Sequence, residues 1–138
     1  MTNQPRSITP TTVNPHYERM GGEAGLHQLV DRFYQLMCEL PAASQIRAMH
    51  PSDLTQAKDR LFMFLSGWMG GPPLYTQKFG PPRLRQSHHD FPIDTQARDA
   101  WMACMEQALK EQIEDPDFLT EITASFFRTA DFLRNQSE

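Results

Sequence analysis

Five histidines, three tyrosines and two tryptophans carry most of the chemistry open to this chain. It has no Gly-rich phosphate loop, no Ser or Cys nucleophile motif, no His-Glu-x-x-His and no paired-cysteine zinc signature. What remains is imidazole, phenol and indole. These groups can bind a metal through a neutral ring nitrogen, move a proton, or donate a hydrogen bond from a buried O–H or N–H. His16 and His27 flank the first apolar stripe and are expected in solvent. His50 stands before Pro51, between two helical stretches. His88 and His89 are adjacent, so on a helical segment their side chains point about 100° apart and only one faces the core. Tyr34 and Trp101 each place one donor on an otherwise apolar face, where burial demands a partner. Taken singly, each is equally an ordinary core aromatic bonded to a backbone acceptor.

The elements that must position these groups read as helices. Leu26, Leu29, Val30, Phe33, Met37 and Leu40 recur at spacings of three and four, with Tyr34 on the same side, and Pro41 closes the run. Leu54, Ala57, Leu61, Phe64, Leu65 and Trp68 form a second stripe, entered through Pro51-Ser52-Asp53 and ended by Gly70-Gly71-Pro72-Pro73. Asp94 is a good N-cap for a third, with Ala97, Trp101, Cys104, Met105, Ala108 and Ile113 on one face. Asp115-Pro116-Asp117 opens a fourth, with proline at the first helical position and Phe118, Leu119, Ile122, Phe126, Ala130 and Leu133 as its stripe. No alternating run predicts a strand, so the fold class is all-α.

Between the second and third stripes, Pro72 to Pro92 holds five prolines and little sustained periodicity. A long loop of this kind in a compact domain usually serves a function or is ordered by a partner. It gathers Lys78, Arg83, Arg85, His88 and His89, which points to something anionic that also bears a metal. The first sixteen residues contain three prolines and few apolar groups and read as a flexible arm, leaving 17–138 as one domain. At 138 residues and 15.9 kDa the chain supports one core. Its net charge of −4 argues against a nucleic-acid surface or a polybasic membrane anchor. It has no run of about 18 apolar residues to span a membrane, and no signal architecture, so a cytoplasmic protein is expected. Cys38 and Cys104 are then expected to be reduced thiols that pack between helices.

The order of the pieces says more than any one of them. Gly21-Gly22 precedes the first helix, Arg32-Phe33-Tyr34 lies within it, and His50-Pro51 precedes the next. Leu61 to Leu65, Trp68 and Gly70-Gly71-Pro72 follow. Pro82-Arg83-Leu84-Arg85, His88 ahead of Phe91-Pro92-Ile93, and Arg98-Asp99-Ala100-Trp101 complete the series. This set resembles the truncated haemoglobins, specifically group II, over roughly Tyr17 to Leu133.

The resemblance implies a shortened globin in which two antiparallel helix pairs sandwich a non-covalent haem b and its iron. The absence of Cys-x-x-Cys-His fits attachment without thioether links. By this resemblance His88 is the proximal iron ligand, chosen over His89 by the two residues that separate it from Phe91. Its second ring nitrogen is expected to donate to a backbone carbonyl about one turn earlier, near Leu84. Tyr34, His50 and Trp101 fall on the opposite face, as donors to a ligand carrying partial negative charge. Phe33, Ala57, Leu61, Phe64, Leu65, Tyr75, Leu84, Arg85, Phe91 and Ile93 are expected around the haem. The small Ala57 replaces a polar gate and leaves a path for small ligands. Arg85, Arg83 and Lys78 are the cations available to the propionates, and each reads equally as a solvated surface charge. The family often carries Arg immediately before the proximal histidine. Ser87 stands there in this chain, so that contact is absent or taken over by Arg85.

The function implied is reversible binding of O2, CO, NO or similar ligands, for oxygen transport or storage. The alternatives are a haem enzyme acting on nitric oxide or peroxide, served by an unidentified reductase, and a diatomic-gas sensor. The assembly is read as a monomer or homodimer.

Overall fold

The computed structural model describes residues 15–88 and 91–135. The expected arm at 1–14 lies outside the described residues, as does His89. In chain order the helices are α1 (His16–Arg19), α2 (Gly22–Glu39), α3 (Ser44–Ala48), α4 (Thr55–Trp68), α5 (Leu74–Phe79), α6 (Leu84–Ser87), α7 (Thr95–Gln112) and α8 (Pro116–Phe132). A 3₁₀ turn, Pro41–Ala43, leads into α3. There is no strand among the described residues. Among the described residues no helix is long and apolar enough to cross a membrane.

The four long helices start and stop where their sequences provide the chemistry. Asp94 Oδ1 accepts from Ala97 N at 2.8 Å and opens α7, and Asp115 Oδ1 accepts from Asp117 N at 2.9 Å and opens α8. Asp53 Oδ1 accepts from Thr55 N at 2.9 Å where α4 begins. Pro41, lacking an N–H, ends α2. Gly21 and Gly22 have φ of 99° and 65°, the left-handed region that side-chain-bearing residues avoid, and they turn the chain sharply between α1 and α2. Gly25 then passes so close to α1 that an added Cβ would strike the Met20 carbonyl.

The core forms where α2 packs on α4 and α7, and α7 on α8, giving the pairs α2/α4 and α7/α8. Leu26, Leu29, Phe33, Met105, Leu109, Phe118 and Ile122 are almost wholly withdrawn from water. Burial of each is worth roughly 1.5–3 kcal/mol. On α4 the face turned to the core is Phe62, Leu65 and Ser66. Of its expected stripe Leu65 is buried, while Leu54, Ala57, Leu61, Phe64 and Trp68 are only half-buried and border a second face.

Four long stripes mark the long helices, and no stripe marks the four short ones among the described residues. The helices α1, α3, α5 and α6 run four to six residues each. One turn is too short to display a period, and neighbours hold it rather than its own propensity. Pro15 and His16, expected in the arm, belong to the folded body. The His16 side chain is only 12% exposed and its Nε2 lies 2.8 Å from Glu121 Oε2, so it is not the solvent histidine expected. Cys38 is exposed and does not pack between helices as expected, whereas Cys104 is buried.

Candidate functional site

His88 closes the single turn of α6, and its Nδ1 donates to the Leu84 carbonyl at 2.7 Å. This is the hydrogen bond expected one turn back. A carbonyl only accepts, so Nδ1 carries the hydrogen and the neutral ring keeps a lone pair on Nε2, the form that binds a metal. Ser87 adds a contact that sequence reasoning did not anticipate. Its hydroxyl donates to the same carbonyl at 3.0 Å and lies 3.1 Å from His88 Nδ1, so it bears on the ring's orientation. A second missed residue is Asn135, beyond α8. Its amide donates to the carbonyls of Phe91 at 2.9 Å and His88 at 3.3 Å, while its Oδ1 accepts from Ile93 N at 2.8 Å. A side chain more than forty positions away thus holds the segment around His88, and no local pattern announces it.

On α2, the phenol of Tyr34 is buried, and desolvation pushes its pKa up to about 12. The hydroxyl is therefore protonated at any physiological pH. Phe33 meets Trp101 of α7 at 5.0 Å between ring centroids, and Tyr34 meets His50 edge-on at 5.8 Å. Neither the Tyr34 O–H nor the Trp101 N–H has a hydrogen-bond partner among the described residues. For the buried Tyr34 hydroxyl this lack of a partner costs about 1–3 kcal/mol, which a polar ligand would recover, whereas Trp101 is half-buried. His50 Nδ1 donates to the Ile46 carbonyl at 2.8 Å. In a neutral ring Nε2 is then an acceptor and not the N–H donor expected. Arg47 straps the same loop, donating to the carbonyls of Pro51 at 3.0 Å and Ser52 at 3.1 Å.

The half-buried face of α4 continues this surface. Phe64 meets Trp68 at 6.5 Å and Tyr75 of α5 at 6.4 Å, and Trp68 meets Phe126 at 4.6 Å. Phe126 in turn contacts Trp101 at 5.9 Å. A cavity of about 510 Å³ opens beside α6, lined in part by Trp68, Leu84 and Phe132. Leu84 of α6 lines it, but His88, Tyr34, His50 and Trp101 do not. Of the remaining expected pocket residues, Ala57, Leu61 and Ile93 are half-buried. Phe33 and Leu65 are wholly in the core, and Phe91 is 40% exposed. Arg85 lies over the Phe132 ring at 5.2 Å and Lys78 over Phe79 at 5.5 Å. Arg83 and Arg85 have no carboxylate partner among the described residues.

Among the described residues no group of three His, Cys, Asp or Glu side chains gathers to hold a metal. His88 therefore suits a metal that brings its remaining ligands with it, as a porphyrin does. One free imidazole nitrogen, two unpartnered donors and a half-buried aromatic face fit that group.

The family model described as bacterial-like globin matches residues 15–135. The group 2 truncated hemoglobin YjbI of Bacillus subtilis is 37% identical over 125 residues, 91% of this chain and 92% of that protein. The structure of the group II 2-on-2 hemoglobin from Agrobacterium tumefaciens superposes with a TM-score of 0.86 at 39% identity, over 94% of this chain and 100% of that one. A truncated oxygen-avid haemoglobin from Bacillus subtilis gives a TM-score of 0.78 at 36% identity, over 86% and 98%.

Proposed function

The chain belongs to the group II truncated haemoglobins, haem b proteins that bind diatomic ligands such as O2, and from that premise we propose a role for each side chain in the pocket. His88 is the proximal ligand. The observation that carries this is the 2.7 Å bond from its Nδ1 to the Leu84 carbonyl, which fixes the tautomer and leaves Nε2 for iron. Haem supplies the iron to which O2 binds, with negative charge shifting onto the ligand.

Tyr34 and Trp101 answer that charge. Each donates its unpartnered hydrogen to the ligand, and both do so in a pocket of low dielectric, where such bonds are stronger than in water. Phe33 fixes the angle of Trp101 from the core side. Ala57, Leu61, Phe64, Tyr75, Leu84 and Ile93 supply apolar walls that exclude water, with Leu65 and Phe91 at the margins. Arg85, Arg83 and Lys78 pair with the propionates, with Arg85 in the place that Ser87 does not fill. The reading carries O2 storage or transport in the cytoplasm. Two thiols that do not pair, Cys38 and Cys104, support a reducing compartment.

The test is an absorption spectrum of the ferric, ferrous and CO-bound protein beside His88→Ala. The expected result is a haem spectrum in the parent and altered axial spectra with weakened haem retention in the variant. A variant with the parent's spectra and affinity would remove His88 from the role.

A further inference from the structure

α6 is a single turn, too short to hold itself by propensity, and His88 caps it. None of the main helix–helix contacts among the described residues involves α6. The bond from the His88 ring to Leu84 lies within that same turn, so ring and turn would move together unless the turn is tied to the body of the fold. From this we propose that Asn135, beyond the end of α8, is the positioning residue of the proximal histidine. Acting through the backbone of His88, Phe91 and Ile93, it sets how firmly Nε2 is presented to the iron. The inference rests on the haem reading above and deepens it.

The tail that carries Asn135 is itself fixed. Arg98 of α7 and Arg134 both donate to Asp131 Oδ1, at 2.8 and 2.7 Å, so the end of α8 is fastened to α7 just ahead of Asn135. From there Asn135 N donates to the Ile93 carbonyl at 2.8 Å, and its Oδ1 accepts from Ile93 N at 2.8 Å. Its Nδ2 donates to the carbonyls of Phe91 at 2.9 Å and His88 at 3.3 Å. These partners settle which end of the amide is which, because a backbone N–H only donates and a carbonyl only accepts.

The His88 carbonyl also accepts from Phe91 N at 3.0 Å, so both of its lone pairs are engaged and the residue cannot shift without breaking those bonds. His88 is thus held at two points, its ring by Leu84 inside the turn and its carbonyl by Asn135 from α8. Partners of this kind orient a metal-binding imidazole without touching the metal. A turn fastened in this way offers Nε2 from a set place, whereas an unfastened one follows the iron and releases it more readily.

The test compares the haem-loaded parent with Asn135→Ala and Asn135→Asp. The bond from the backbone N of residue 135 to Ile93 is open to both variants, so the readings report the side chain. Asn135→Ala removes every side-chain bond. Asn135→Asp keeps the acceptor for Ile93 N but turns a carboxylate oxygen towards two carbonyls. Transfer of haem to excess apomyoglobin is expected to be about tenfold faster in both, the low end of what a partner of a ligating residue is worth. The iron–histidine stretching band of the ferrous protein, read by resonance Raman, should shift in both, which a mere loss of stability would not cause. Hydrogen exchange at the Ile93 amide should rise in the Ala variant and stay slow in the Asp variant, separating the acceptor half of the clamp from the donor half. An unmoved band with an unchanged transfer rate in both variants, or an Ile93 amide that exchanges no faster in Asn135→Ala, would overturn the proposal and leave the haem reading intact. A parent protein that takes up no haem would overturn both.

Discussion

In the roles proposed for them, Tyr34 and Trp101 make the same kind of contribution from two different helices, and each is expected to show in the rate at which O2 leaves. A hydrogen bond to a charged acceptor is worth about 1.5–3 kcal/mol, so losing one speeds release by roughly ten- to a hundredfold. Trp101→Phe and Tyr34→Phe should both do so, read by stopped-flow dissociation. An unchanged rate in either variant removes that residue from the role. Tyr34 has a second consequence. Its phenol ionises near pH 10 in the unfolded chain and at about 12 in the fold. A raised acid pKa means that the fold favours the neutral form, so the associated stability is full below pH 10 and is lost as the pH climbs toward 12. Chemical denaturation across that window should show the loss in the parent and a shallower loss in Tyr34→Phe.

The helices that carry these residues are joined by few polar ties, and one of them is directly testable. Arg32 of α2 grips Glu111 of α7 with two bonds of 2.7 and 3.0 Å, and that contact pushes the Glu111 carboxyl down to about 2. The pair is partly exposed, so solvent and salt weaken it. A depressed carboxylate pKa contributes stability above the unfolded value of 4.5 and loses it as the pH falls toward 2. Glu111→Gln is therefore expected to lower Tm modestly at neutral pH and to flatten the decline between pH 4.5 and 2. A variant that keeps the parent's full acid decline would show that the bridge contributes nothing. The same two helices carry Tyr34 and Trp101, so this bridge also bears on where the two donors sit.

At the scale of the molecule, the pairs α2/α4 and α7/α8 share a packed core, while α5, α6 and the residues around His88 have little core of their own. In the haem reading proposed above, those segments rest on the haem between the pairs. Haem bound at a hundred times its Kd stabilises by about 2.7 kcal/mol. Its extraction is expected to lower Tm and to raise hydrogen exchange chiefly over residues 72–93, with the far-UV signal of the four long helices largely kept. Exchange that rises uniformly over α1 to α8 would contradict this division.

The long helices and the order of the functional groups were readable from the sequence because their causes are local. A stripe at spacings of three and four, a capping Asp94 or Asp115, a closing Pro41 and the step from His88 to Phe91 all lie within a few residues. Even the bond from His88 to Leu84 is one helical turn long. The remaining features depend on partners that the fold brings from afar. Asn135 holds the His88 segment from more than forty positions away, and Glu121 draws His16 out of the expected arm. Only the assembled packing leaves Tyr34 and Trp101 without acceptors among the described residues and leaves Phe64 and Trp68 of α4 half-buried beside the core. It also determines which nitrogen of His50 is free. Periodicity reports which face of a helix is apolar, but the partner of a polar atom is a fact of three dimensions.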